Sequence, residues 1–165
     1  MPTRLPKTAD DILKLGDPRL YLTCEPVEEA DWELLVDWIA QLREAMQDVR
    51  RRYGFGRGIA APQLGILKRL IYIEIEEPLV LIKPTVVTLS EERFTLWDDC
   101  MSFPNLLVEV ERHRSITLSY LNLEGQQCET TFQDDRAELV QHEFDHLEGI
   151  LCTMRARDAR SFRWR

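Results

Sequence analysis

The sequence predicts an α+β fold in which largely antiparallel β-sheets pack around a central helix. Three observations predict it: a long amphipathic pattern over residues 31–52, a succession of β-rich runs over residues 70–132, and a second helical pattern over 134–147. Helix, many strands, then helix is the order of a helix packed on antiparallel sheet, not of alternating βαβ units. The chain has 165 residues, near the common size of one domain. No repeat, linker or low-complexity stretch divides it, so residues 1–165 are read as a single domain with an arginine-rich tail, residues 155–165.

Residues 8–27 form an opening segment with a turn at Gly16-Asp17-Pro18. Asp31 is the expected cap of the first helix. Leu35, Trp38, Ile39, Leu42, Met46 and Val49 recur at helical spacing and make a core-facing stripe. This helix is expected to end near Arg52, before the glycine-rich Gly54-Phe55-Gly56-Arg57-Gly58. Strand-like runs follow at Leu70–Ile75, Leu79–Ile82, Val86–Ser90 and Phe94–Met101. Ser115–Leu123 and Gln127–Phe132 flank Glu124-Gly125, a hairpin signal. Asp134 or Asp135 is the expected cap of the second helix, which should run to Leu147 and stop at Gly149. The tail carries Arg155, Arg157, Arg160, Arg163 and Arg165. It is read as a solvated surface helix or frayed end, with a partner-binding patch as the sharper alternative.

The net charge of −8 argues against nucleic-acid binding and against attraction to anionic membranes. The N-terminal Met1-Pro2-Thr3-Arg4-Leu5-Pro6-Lys7 has no apolar leader pattern, and no apolar run approaches the ~20 residues of a spanning helix. A cytoplasmic location is expected. Cys24, Cys100, Cys128 and Cys152 are scattered without a C-x-x-C pair, so they read as thiols or a ligand rather than a disulfide frame.

The chemistry concentrates at His142-Glu143-Phe144-Asp145-His146, an H-E-x-x-H run. Residues i and i+4 share a helix face, so both imidazoles reach one metal ion while Glu143 beside them handles a proton. That combination suits water attack on a carbonyl. A third ligand is needed. His113 lies in the strand-like basic stretch Glu111-Arg112-His113-Arg114, lacks the spacing of a zincin ligand and is expected at the surface. Cys100 is the better candidate, because a thiolate with two imidazoles leaves a fourth position open.

Three segments together resemble the peptide deformylase family. Gly56-Arg57-Gly58-Ile59-Ala60-Ala61-Pro62-Gln63 is similar to its G-Φ-G-Φ-A-A-x-Q motif. Asp98-Asp99-Cys100-Met101-Ser102 is similar to E-G-C-L-S, and Gln141-His142-Glu143-Phe144-Asp145-His146-Leu147 to Q-H-E-x-D-H-L. Softer likeness covers Ile12-Leu13, Asp17-Pro18-Arg19-Leu20 and Leu81-Ile82-Lys83-Pro84. The resemblance implies a metal-dependent hydrolase that removes the formyl group from N-formylmethionyl peptides, or from a nascent-chain N-terminus, and releases formate. It implies one divalent ion, Fe²⁺ with Zn²⁺ or Ni²⁺ able to substitute, on Cys100, His142 and His146. Glu143 would move the proton, and Gln63 with the Met101 N–H would hold the oxyanion. Gly58 and Ile59 would bind the peptide as an added strand. Asp145 would orient a ligand histidine.

Departures from the family pattern cluster. Asp98 and Asp99 stand where Glu-Gly is usual, and Arg57 where an apolar residue is usual. Asp135 and Glu138 lie two turns and one turn before His142 and can face the metal side. The resemblance places Arg57, Asp135 and Glu138 near the pocket for the methionine side chain, so this wall is expected to be partly charged. Arg57 is expected to pair with Glu138 or Asp98, or to reach solvent with only its stem in the pocket. Three alternatives remain: a deformylase for another N-formylated amine with a polar side chain, a non-catalytic metal-binding homologue, and a zincin endopeptidase. The last lacks a downstream ligand at the usual separation, since Glu148 is too close.

Overall fold

The computed structural model describes residues 4–165. Met1, Pro2 and Thr3, part of the stretch read as lacking a leader, lie outside them. Helix α1 spans Trp32–Tyr53 and buries Leu35, Leu42, Met46 and Val49, with Trp38 and Ile39 packed beside them. Gly54 ends it in the left-handed conformation, where its N–H donates to Arg50 O. Asp31 occupies the N-cap position without capping. Its carboxylate instead accepts from Glu28 N–H and pairs with Lys68.

Eight strands follow: β1 Gly58–Ala60, β2 Leu70–Glu74, β3 Pro78–Leu89, β4 Arg93–Asp98, β5 Leu106–His113, β6 Ser115–Leu121, β7 Gln127–Gln133 and β8 Phe162–Trp164. They form an antiparallel five-stranded sheet, β1-β2-β3-β6-β7, and an antiparallel three-stranded sheet, β4-β5-β8. Helix α2, Asp134–Leu147, follows β7. Side-chain alternation explains how the larger sheet can be covered on both faces. Ile59, Leu70, Tyr72, Val80 and Ile82 face α1, whereas Ala60, Ile71, Ile73 and Leu81 face α2. A third cluster, Cys100, Phe103, Val108, Val110 and Cys152, joins the smaller sheet to the end of α2.

Several expectations are corrected. The runs at Leu79–Ile82 and Val86–Ser90 belong to one strand, β3. Bulges between Ile82 and Thr85 and a positive φ at Lys83 absorb Pro84, which has no N–H to donate. The run starting at Phe94 stops as a strand at Asp98, and Asp99–Met101 turn into the site. Strand β5 carries alternating charges; the strand-like reading of Glu111–Arg114 covers only its end, and the strand begins earlier, at Leu106. The tail is neither helix nor frayed end: Phe162–Trp164 pairs with Leu106–Val108. Neither Asp134 nor Asp135 caps α2. Gln133 is the N-cap, and Asp134 enters the first turn at φ 54° with its carboxylate on Arg114. Among the described residues no helix is long and apolar enough to cross a membrane.

Helix α2 ends against the opening segment, where Cys24 N–H donates to Leu147 O at 2.9 Å. Gly149 has φ 72°, and a Cβ there would lie 2.6 Å from Tyr21 O, a backbone atom that cannot swing away. Gly149→Ala should therefore destabilise the protein by more than about 1 kcal/mol. Thermal unfolding should show a midpoint lower by roughly 2–4 °C or more; an unchanged midpoint would mean the α2 exit is not held as described.

Candidate active site

Helix α2 and the turn after β4 build the site. His142 and His146 lie one turn apart on the buried face of α2, 5 % and 1 % exposed. Cys100 approaches from the turn, with Sγ 3.5 Å from His146 Nε2. The donor atoms of Cys100, His142 and His146 all lie within 4.8 Å of one another. His142 Nδ1 is 2.9 Å from Asp98 Oδ2, which leaves Nε2 for a metal. One buried thiol and two buried imidazoles with converging atoms fit a borderline-soft divalent ion.

Glu143 is buried on α2, and its Oε2 has no hydrogen-bond partner among the described residues. Burial pushes its carboxyl up to about 7. A buried carboxylate oxygen without a partner is uncommon and marks a place for a reacting group or water. Gln63 is 1 % exposed. Its Oε1 accepts from Ala60 N–H at 3.0 Å, which turns Nε2 toward Cys100 Sγ at 3.6 Å and Ser102 Oγ at 3.2 Å. Among the described residues no backbone carbonyl accepts the Met101 N–H.

Strand β1 is an edge of its sheet and passes beside Glu143. Glu74 N–H donates to Arg57 O, so strand alternation directs the N–H and C=O of Gly58 to the open edge. A Cβ on Gly58 would sit 3.3 Å from Glu143 Cγ and 3.2 Å from Leu139 Cδ1, which explains glycine here. The Ile59 side chain is fully buried toward α1, and the same alternation turns its backbone groups to Tyr72 on β2, so Ile59, expected to bind the peptide, supports the edge strand and does not face the cavity.

The structure separates the remaining residues by role. Arg57 forms ion pairs with Glu138, which is buried, and with Asp135, 3.5 Å away and largely exposed. Arg57 and Glu138 line the cavity beside the metal ligands; Asp135 stands outside it. Asp98 is buried between His142 and Arg112. Burial alone would raise its pKa, but those two groups outweigh it and hold the carboxyl at about 2. Asp99 lines the cavity rim and pairs with Arg165 at 2.5 Å.

Sequence reasoning missed three arginines. Arg112 is 2 % exposed and bridges Asp98 at 3.0 Å and Asp145 at 2.6 Å. Arg155 also binds Asp145. Asp145 therefore serves the arginines, and Asp98 is the residue that orients a histidine, contrary to expectation. The alternation Val108-x-Val110-x-Arg112 carried the signal, because it puts Arg112 on the apolar face of β5. His113 faces the other way, half-buried, with Nδ1 2.7 Å from Ser90 O. Arg165 stacks on Phe55, a residue of the cavity lining, with 4.0 Å to the ring centroid, so the end of the tail is anchored beside the cavity.

Comparison with known proteins decides the family. The polypeptide deformylase family model matches residues 9–162. The chain belongs to the polypeptide deformylase family. It is 37% identical over 137 residues to the peptide deformylase of Pseudothermotoga lettingae, covering 83% of this chain and 77% of that one. The structure of a Synechococcus elongatus peptide deformylase in complex with actinonin superposes with TM-score 0.85 at 32% identity, covering 96% of this chain and 85% of that one. The Met-Ala-Ser-bound class I type b enzyme of Acinetobacter baumannii superposes with TM-score 0.76 at 34% identity, covering 94% and 99%. The deformylase family is metal-dependent, and the Cys100–His142–His146 cluster has donor atoms close enough together to hold a metal ion.

Arg112 neutralises two buried carboxylates at once. Arg112→Met should cost about 3–5 kcal/mol in denaturant unfolding, because it strands those charges. Arg114→Met, which removes the exposed, solvent-screened pairs with Glu92 and Asp134, should cost far less. Equal losses would contradict the role given to Arg112.

Proposed function

We propose that this deformylase removes the formyl group from N-formylmethionyl peptides, including nascent-chain N-termini in the cytoplasm, and releases formate and the free amine. The observation that carries the reading is the unpartnered Glu143 carboxylate oxygen, buried beside three converging metal donors. Cys100, His142 and His146 hold the ion. Fe²⁺ is the ion that the family resemblance implies, with Zn²⁺ or Ni²⁺ as substitutes, and the thiolate–imidazole set suits all three. When bound, the metal supplies Lewis acidity that favours water attack near neutral pH and polarises the formyl carbonyl.

The protein's own groups do the rest. Gly58 pairs its outward N–H and C=O with the substrate backbone, which extends the sheet by one strand and aligns the formyl group. Gln63 Nε2 and the Met101 N–H donate to the carbonyl oxygen as it gains charge. Glu143 takes a proton from the attacking water and passes it to the amine nitrogen as the C–N bond breaks. Asp98 keeps His142 in the tautomer that leaves Nε2 free. Glu143 is not a metal ligand, so a merely metal-binding homologue has no chemical use for it.

The test is formate release from N-formyl-Met-Ala-Ser by anaerobically prepared, Fe²⁺-loaded protein. Wild-type protein should turn over, and Glu143→Gln should lose at least about 10²-fold in kcat while keeping one metal per chain. No turnover by metal-loaded wild-type protein, or full activity in Glu143→Gln, would overturn the reading.

A further inference from the structure

The cavity beside the metal ligands has a volume of about 280 Å³ and lies between β1 and α2. It adjoins Gly58, whose outward backbone is the strand-pairing group, and Cys100, His142 and Glu143. It is therefore where the side chain next to a formylated nitrogen comes to rest. Leu139 supplies apolar wall, but Arg57 and Glu138 face the same space as an ion pair.

The charges around this cavity do not cancel. Asp98 is matched by Arg112, and Asp99 by Arg165. Arg57 is shared by two carboxylates, Glu138 in the cavity wall and the exposed Asp135 outside it, so Glu138 has only part of one countercharge. Glu138 gives Arg57 one oxygen, Oε1. Its other oxygen has no hydrogen-bond partner among the described residues, and Glu138 lines the cavity. A long apolar side chain packed here would strip water from that carboxylate and offer nothing in return. A side chain ending in a cationic donor replaces the lost water and balances the charge. Its methylene stem can lie along Leu139, as amphipathic side chains do.

We infer that the Arg57–Glu138 pair sets side-chain selectivity at this site, and turns it toward N-formyl substrates whose first side chain ends in a cationic hydrogen-bond donor. The inference rests on the deformylase reading and specifies its substrate class. A site built to bond a polar group discriminates against analogues that lack it more strongly than an apolar pocket discriminates by size.

The experiment compares N-formyl-X-Ala-Ser peptides with X as lysine, glutamine, methionine or norleucine, on wild-type protein, Glu138→Gln and the Arg57→Ile/Glu138→Ile double variant. In wild-type protein, kcat/KM for lysine should exceed that for norleucine by about tenfold or more. Glu138→Gln should shrink this ratio by about tenfold, and the double variant should invert it. A norleucine or methionine preference in wild-type protein, or a ratio unmoved by Glu138→Gln, overturns the inference. Calorimetric binding of the unformylated Lys-Ala-Ser and norleucine-Ala-Ser to metal-loaded protein reads the same selectivity without turnover. Lost hydrolysis with tighter binding of Lys-Ala-Ser would sink the deformylase reading alone. Tighter binding of norleucine-Ala-Ser would sink the selectivity proposal alone.

Discussion

The buried bridge Asp98–Arg112–Asp145 is the interaction on which the rest of the site depends. Asp98 ends β4, Arg112 lies on β5, and Asp145 sits on α2 one residue before His146. One guanidinium therefore ties the smaller sheet to the helix that carries H-E-x-x-H. The same Asp98 reaches His142 at 2.9 Å, so the bridge also sets the orientation of a ligand. Burying three charges is costly, and an apolar replacement of the whole set is often as stable. The geometry accounts for the bridge better than stability does: it fixes Cys100, two residues beyond Asp98, against His146.

The second constraint is the thin wall between β1 and α2. Apolar side chains cover both faces of the larger sheet, yet at Gly58 the helix comes close enough for Glu143 to touch the strand. The Glu143 carboxyl thereby sits beside the backbone groups that face the open edge. A side chain at residue 58 would push the two apart by a few tenths of an ångström or more, and near-attack geometry tolerates little of that.

Much of this was legible in the chain. The spacing of Leu35, Leu42, Met46 and Val49 located α1, and His142-x-x-x-His146 put both imidazoles on one face of α2, because both patterns are local. The need of Arg57 for a carboxylate partner was readable, but not which one: the structure gives it Glu138, while Asp98, the other candidate, pairs with Arg112. What escaped depends on contacts distant in sequence. Strand β5 hid behind Glu109 and Glu111, which face outward while Val108, Val110 and Arg112 face in. The tail looked like a solvated basic end, but β5 gives it a partner strand, and Phe55 and Asp99 hold its last arginine. Asp145 was assigned to a histidine for want of knowing where Arg112 would lie.

The central claim is that one thiolate and two imidazoles from separate elements converge on a single ion. Anaerobic titration with Co²⁺, followed by visible and near-ultraviolet absorption, tests it most directly. The account predicts saturation at one equivalent per chain, with tetrahedral ligand-field bands and a thiolate-to-metal charge-transfer band that Cys100→Ser abolishes. Binding without a thiolate band, or a band unchanged in Cys100→Ser, would contradict it.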